Sequence, residues 1–301
     1  MTHVALVGTT ASGKSALALA IARVNRDIEL VSIDSMQVYR GMDIGTAKPT
    51  IAERADVPHH LIDLADPDEE FTVARFQREF TDVLAGIDAR QHRALLVGGT
   101  GLYLRAVIDG LAIPGRYPDA VRELEGAGTA ALHERLAALD PVAATRMEPG
   151  NRRRIVRALE VTIGSGRPFS SYGPGLDAYP ATVFRLIGVS LPPSVVRARI
   201  AARYRSQLDD GFVDEVRALA DRPQGLSRTA AQALGYRELL AHVRGDMALD
   251  DAIDEAVRRT RRFARRQRSW FRRDPRIQWL EAGEDPFDVL PSLERIVSGQ
   301  T

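Results

Sequence analysis

One eight-residue stretch near the start of the chain, Gly8-Thr9-Thr10-Ala11-Ser12-Gly13-Lys14-Ser15, limits the possible folds more than any other feature. It satisfies the G-x-x-x-x-G-K-[ST] pattern in full. An apolar, β-branched run at residues 3–7 precedes it and good helix formers at 16–23 follow, so the pattern predicts strand, turn and helix in immediate succession. In that setting the turn's amides form a concave nest and the helix adds the positive end of its dipole. Together they suit a diphosphate or triphosphate, with Ser15 facing a Mg²⁺ ion carried on the phosphate oxygens. Only two lysines, Lys14 and Lys48, stand beside 39 arginines. Arginine has taken nearly every cationic position, so a retained lysine marks a place where a compact ammonium is needed.

Composition narrows the class further. A chain of 301 residues, 45% hydrophobic and 27% charged, can bury a substantial core in about two compact units. No run approaches the roughly 18 apolar residues of a membrane span, and a strand begins within three residues of the amino terminus, leaving no room for a signal peptide. A cytoplasmic protein without membrane contact is expected. Absence of cysteine excludes disulfides, thiolate catalysis and cysteine-based zinc sites. Net charge is only +1, yet residues 252–276 hold ten arginines, and Arg152, Arg153, Arg154 and Arg157 form a second cluster. Such clusters read either as polyanion-binding surfaces or as solvated helix faces.

Four further apolar runs, at 28–33, 94–97, 184–189 and 277–280, have the character of core strands, with helical stretches between them. This alternation predicts an α/β fold: a P-loop NTPase-like, doubly wound parallel sheet with right-handed crossovers. More than eighty residues separate the third and fourth strands, with breaks at Pro114, Pro118, Pro168, Pro174 and Pro180. A small inserted helical domain is expected at 112–179, within a core formed by 1–111 and 180–301. The glycine- and proline-rich stretch 165–175 reads as a mobile tail.

Ligands of such sheets bind at the carboxyl ends of strands, which here carry Asp34, Gly98 to Thr100, and Ser190. The third strand ends in Gly98-Gly99-Thr100-Gly101, where glycines permit close approach and Thr100 offers a hydroxyl instead of the acid that assists hydrolysis in ordinary nucleotidases. Asp34 could cap the next turn, hold a metal through water, or accept a proton from a nucleophile. His59-His60 reads as loop, since adjacent histidines do not share a face. Tyr39, Phe71, Trp270 and Phe271 read as packing residues.

With the loop in place, the run from Asp34-Ser35-Met36-Gln37 to Gly45-Thr46-Ala47-Lys48-Pro49 closely resembles the tRNA dimethylallyltransferase family, also called tRNA isopentenyltransferases. The likeness continues at 57–63, 97–103, 151–160, Gln232-Ala233-Leu234-Gly235-Tyr236-Arg237 and 260–271, in the expected order over roughly 4–273. Thr9 departs from the proline common in the family's loop.

The resemblance implies transfer of a dimethylallyl group from dimethylallyl diphosphate to the N6 amine of the adenosine immediately 3′ of the anticodon in tRNA. Gly8 to Ser15 would cradle the diphosphate, with Mg²⁺ at Ser15. Lys14 and Arg203 would stabilise the leaving group, Asp34 would take the amine's proton, and Thr100 would hold the base. By the same resemblance Asp34, Ser35, Met36, Gln37, Thr100, Arg122, Arg153, Arg154, Arg157, Gln232, Gly235, Tyr236 and Arg237 contact RNA. The insertion would grip the tRNA anticodon stem-loop around a flipped-out adenine. No obligate protein partner is expected. The alternatives are a P-loop small-molecule or nucleoside kinase, which would consume ATP, and an RNA-binding protein that uses nucleotide only as a switch.

Overall fold

The computed structural model describes residues 2–299. Six strands, β1 (Val4–Gly8), β2 (Ile28–Ile33), β3 (His59–His60), β4 (Arg93–Gly98), β5 (Arg185–Ser190) and β6 (Gln278–Glu281), form one sheet in the order β3-β2-β4-β1-β5-β6. Every neighbouring pair is parallel. A parallel pair needs a crossover, and helices on the faces leave the strands buried on both sides, which is why β1 reads as an unbroken apolar run with all five residues buried. The register aligns Ile33 and Val7 with Gly98, and Gly8 with Val189. Carboxyl ends of β1, β2, β4 and β5 therefore finish at one level. That alignment brings the phosphate loop, Asp34, Gly98 to Thr100 and Ser190 to the same edge of the sheet.

Four strands end one residue beyond the sequence expectation: β1 at Gly8, β4 at Gly98, β5 at Ser190 and β6 at Glu281. A larger difference is β3. His59 and His60 are not loop but a short edge strand paired with Leu30 and Val31. A polar dipeptide carries no apolar signal, and what holds it is partly side-chain chemistry. Buried Glu29 accepts hydrogen bonds from Arg90 and pairs with His60 Nε2 at 2.6 Å and His92 Nδ1 at 2.8 Å. Burial raises the Glu29 pKa, but these partners together outweigh it and hold the carboxyl down at about 2.

Residues Asp109–Pro180 form a second compact unit, and the rest of the described chain forms the first. The second unit has its own core of Leu124, Leu132, Leu136, Ala143, Ala144, Met147, Ile155, Ala158 and Leu159. Its helix Arg152–Ser165 is capped by Asn151, whose side chain accepts from Arg154 N. The stretch expected to be a loose tail contains a short 3₁₀ helix, Phe169–Tyr172, tied down where Ser170 N and Oγ both donate to buried Asp140 at 2.7 Å.

The 23-residue helix Leu249–Phe271 explains one arginine cluster. It buries Ala252, Ala256, Thr260, Ala264, Gln267 and Phe271, spaced by three and four residues along one stripe. The arginines occupy the remaining surface. Phe271, Tyr39 and Phe71 lie in the core, and Trp270 packs partly buried against Gly101, where a Cβ would come within 2.2 Å of its ring nitrogen.

Candidate active site

The phosphate loop leaves β1 at Gly8 and enters the helix Lys14–Val24 through Gly13. Gly13 has φ +84°, and a Cβ there would lie 2.4 Å from Pro286, so only glycine fits. Ala11 is a non-glycine residue at φ +61°, fully buried, an arrangement that costs energy unless its surroundings hold it. Arg199 supplies part of that hold, its Nε donating to Ala11 O at 2.9 Å. Within the loop, Ser12 N donates to Thr9 O at 3.2 Å, and Lys14 Nζ reaches the same carbonyl at 3.2 Å. Arg203 donates to Thr10 Oγ1 at 3.1 Å. Ser12 Oγ is buried with no hydrogen-bond partner among the described residues. The first amides of the Lys14–Val24 helix have no partner within that helix either, so the loop presents donors to an incoming anion.

Electrostatics points the same way. Desolvation, then the neighbouring Arg203, push Lys14 down to about 8, against an opposing pull from Asp34. Arg203 is likewise lowered, by burial and then by Arg199. Two cations crowded into a poorly solvated place are an unfavourable arrangement that a polyanion relieves. Beside Thr9 lies a cavity of about 450 Å³ with apolar walls from Val189, Leu191, Val196 and Ile200 and arginines at Arg265 and Arg268.

Asp34 stands immediately after β2. Its Oδ1 accepts Met36 N at 2.8 Å, which is the capping role weighed for it, while Oδ2 has no hydrogen bond among the described residues. The adjacent strand end is joined to it: Thr100 N donates to Ile33 O at 3.3 Å, and Thr100 Oγ1 accepts Ser35 N at 3.2 Å. A carboxylate with one oxygen anchored and one open, next to a fixed hydroxyl, can accept a proton from a polar group held between them. Hard oxygen donors also stand here, in the Asp34 carboxylate and the exposed Ser15 hydroxyl. No group of three or more His, Asp or Glu side chains forms a cation cage among the described residues. A donor set this sparse suits Mg²⁺ carried on phosphate oxygens, since that ion retains several waters.

The segment after Asp34 is held by side chains whose residue types suggested other work. Gln37 accepts from Ser32 Oγ at 2.7 Å and donates to Thr46 O and Ala47 O. Lys48, its side chain fully buried, uses its three donors on Tyr39 O, Asp43 and Asp63. Glu215 accepts the amides of Asp43, Ile44 and Gly45 together with the Tyr236 hydroxyl at 2.6 Å. The Tyr236 ring is thus in the core, and its neighbours Gln232 and Arg237 are the exposed members of that block. Gly235, with φ +84°, opens the Tyr236–Val243 helix.

Of the arginines expected to meet RNA, Arg153 and Arg154 are exposed in the second unit. Arg122 is exposed but paired with Asp119, and Arg157 is engaged by Glu160 at 2.8 Å and by the carbonyls of Pro114 and Gly115. Sequence reasoning did not single out Arg199 or Gln267. Nothing in composition separates Arg199 from the other arginines, whereas Gln267 is the one amide amid the arginine-rich 258–273 stretch.

A family model described as IPP transferase matches residues 37–274, a span that begins after the phosphate loop. The tRNA dimethylallyltransferase of Salinispora tropica is 50% identical over 285 residues, covering 93% of this chain and 88% of the relative. That of Streptomyces coelicolor is 48% identical over 294 residues, covering 96% and 93%. Among solved structures, the tRNA isopentenylpyrophosphate transferase of Bacillus halodurans superposes with a TM-score of 0.73 at 37% identity, covering 99% of this chain and 96% of that one. Crystallographic snapshots of a eukaryotic dimethylallyltransferase acting on tRNA give a TM-score of 0.80 at 25% identity, with 99% and 80% covered. A chain with this loop, this parallel sheet and relatives this similar along nearly its whole length belongs to the IPP transferase family of transferases.

Proposed function

We propose that the chain transfers the dimethylallyl group of dimethylallyl diphosphate to the exocyclic N6 amine of the adenosine immediately 3′ of the anticodon in tRNA. One observation carries the reading: a phosphate loop with two desolvated cations, Lys14 and Arg203, shares a sheet edge with a half-open carboxylate, Asp34, and an anchored hydroxyl, Thr100. The first pair suits a departing anion and the second an attacking amine. The bond between the allylic carbon and the diphosphate oxygen breaks, its electron pair leaving with diphosphate. The N6 lone pair forms the new bond to that carbon, and the displaced N6 proton goes to Asp34. Thr100 orients the base by hydrogen bonding.

Charge grows on the diphosphate as the bond breaks, and the loop amides, Lys14 and Arg203 stabilise it without reorganising. Ser15 and, through water, Asp34 would hold Mg²⁺, which supplies further neutralisation of the same charge. The second unit grips the anticodon stem-loop through Arg153 and Arg154, with Arg122 at its edge. Arg157 acts there by shaping the unit, while Gln232, Arg237 and the 34–37 turn meet RNA on the first. The work takes place in the cytoplasm, where tRNA is met. No helix among the described residues is long and apolar enough to cross a membrane.

Incubation with Mg²⁺, labelled dimethylallyl diphosphate and undermodified tRNA should put label into RNA without ATP. Turnover of ATP with no label in RNA would replace this reading with a kinase.

A further inference from the structure

The amide of Gln267 joins the two halves of the site. Along the Leu249–Phe271 helix the buried stripe is made of small residues until it reaches Gln267, which is 6% exposed and lies level with the carboxyl ends of the strands. Its Oε1 accepts Thr10 N at 2.8 Å, inside the phosphate loop. Its Nε2 donates to Gly99 O at 2.9 Å, one residue before Thr100. The contacts use the acceptor and the donor of one planar group in opposite directions, which neither a hydrocarbon nor a carboxylate can do. Gly99 is shaped to receive it, since a Cβ at that position would lie 2.2 Å from Nε2.

The consequences run outward on both sides. Thr10, fixed by Gln267, accepts a hydrogen bond from Arg203 at its hydroxyl oxygen. On the other side the Gly99–Thr100 peptide is fixed, and Thr100 Oγ1 takes the amide of Ser35, the neighbour of Asp34. An unbroken chain of hydrogen bonds therefore links the cation at the leaving-group end to the turn that carries the carboxylate. Displacement at carbon depends steeply on the separation and alignment of nucleophile and leaving group, and a misplacement of about 1 Å costs on the order of 100-fold in rate.

We infer that Gln267 is a positioning residue that sets the distance between the diphosphate cradle and the acceptor amine while touching neither substrate. The inference rests on the proposed prenyl transfer. Gln267→Met keeps the side chain's length and removes both hydrogen bonds. Its single-turnover rate of label transfer, with enzyme saturating, should fall about 10- to 100-fold, while the affinities for dimethylallyl diphosphate and for tRNA change less than about threefold. Gly99→Ala attacks the same strut from its other end and should give a comparable loss. The double variant should lie close to the worse single variant instead of multiplying the two.

Should Gln267→Met fold poorly, as judged by its melting temperature, Gln267→Glu serves. It retains length and the acceptor for Thr10 N but has no donor for Gly99 O, and must lose rate with affinities kept. Rates within twofold of wild type overturn the inference. So does a loss of diphosphate affinity in proportion to rate, which would make Gln267 part of the cradle. Wild-type protein that transfers no label to tRNA refutes the proposed function instead, so the two failures are distinguishable.

Discussion

Raising the pH from 7 to 9 should weaken dimethylallyl diphosphate binding by about tenfold in the wild-type protein and leave the Lys14→Arg variant unchanged. In the free protein Lys14 sits at about 8 instead of 10.5, chiefly through desolvation. A bound diphosphate places negative charge against the ammonium and restores an ordinary or higher value. The group is then lowered in the free state and raised in the complex, so affinity is full below pH 8, falls as the pH passes through 8, and levels off above the pKa of the complex. The full span of 2.5 units between those two values corresponds to ~3 kcal/mol, or about 300-fold in affinity. Between pH 7 and 9 about a tenfold part of it is expressed. At pH 9 binding should take up ~0.9 proton, read from calorimetry in buffers of different ionisation enthalpy. The ligand's terminal phosphate has its second ionisation near 6 and so adds little in this window. A guanidinium does not titrate here, so Lys14→Arg supplies the control. Wild-type affinity that stays flat from pH 7 to 9, or proton uptake equal in the variant, would refute the argument that Lys14 is held ready for an anion.

Asp34→Asn should slow single-turnover transfer by about 100-fold or more with both substrate affinities nearly unchanged, since the amide keeps the Met36 contact and cannot take the proton; an active Asp34→Asn enzyme would remove the base from the scheme. Replacing Arg153 and Arg154 by alanine should weaken tRNA binding and lower its salt slope by about 1 to 2, while dimethylallyl diphosphate binds as before; an unchanged slope would return these residues to a solvated face. Lys48→Met should cost about 2–3 kcal/mol in chemical unfolding, because it strips the ammonium from Asp43, Asp63 and Tyr39 O at once; a cost below about 1 kcal/mol would show that the buried ammonium is not what holds that segment.

The inner strands were legible because a parallel sheet covered on both faces needs largely apolar runs, which β1, β2, β4 and β5 supply, while the edge strand β6 was marked only by the short run through Trp279 and Leu280. The sixth strand escaped because His59 and His60 are held by backbone pairing and the Glu29 carboxylate, neither of which leaves a periodic signal. Within the candidate site, the phosphate loop could be read directly from spacing, since its geometry is local. Roles in the neighbouring segments could not, because resemblance marks a stretch of chain without saying which way each side chain faces. Gln37, Lys48 and Tyr236 all lie in stretches that resemble the family, yet the side chains of all three hold backbone or core. The arginines pose the same difficulty more sharply. Thirty-nine guanidiniums are interchangeable in composition, and only their surroundings separate Arg203, lowered by burial beside Thr10, from Arg157, tied to Glu160. Arg153 and Arg154, which stay exposed, can still neutralise phosphates of an acidic polymer and so release the counterions condensed on it. For an arginine-rich chain, counting charges therefore says little about RNA contact. What distinguishes a contact from a structural brace is whether a carboxylate or carbonyl of the same chain has already taken its donors.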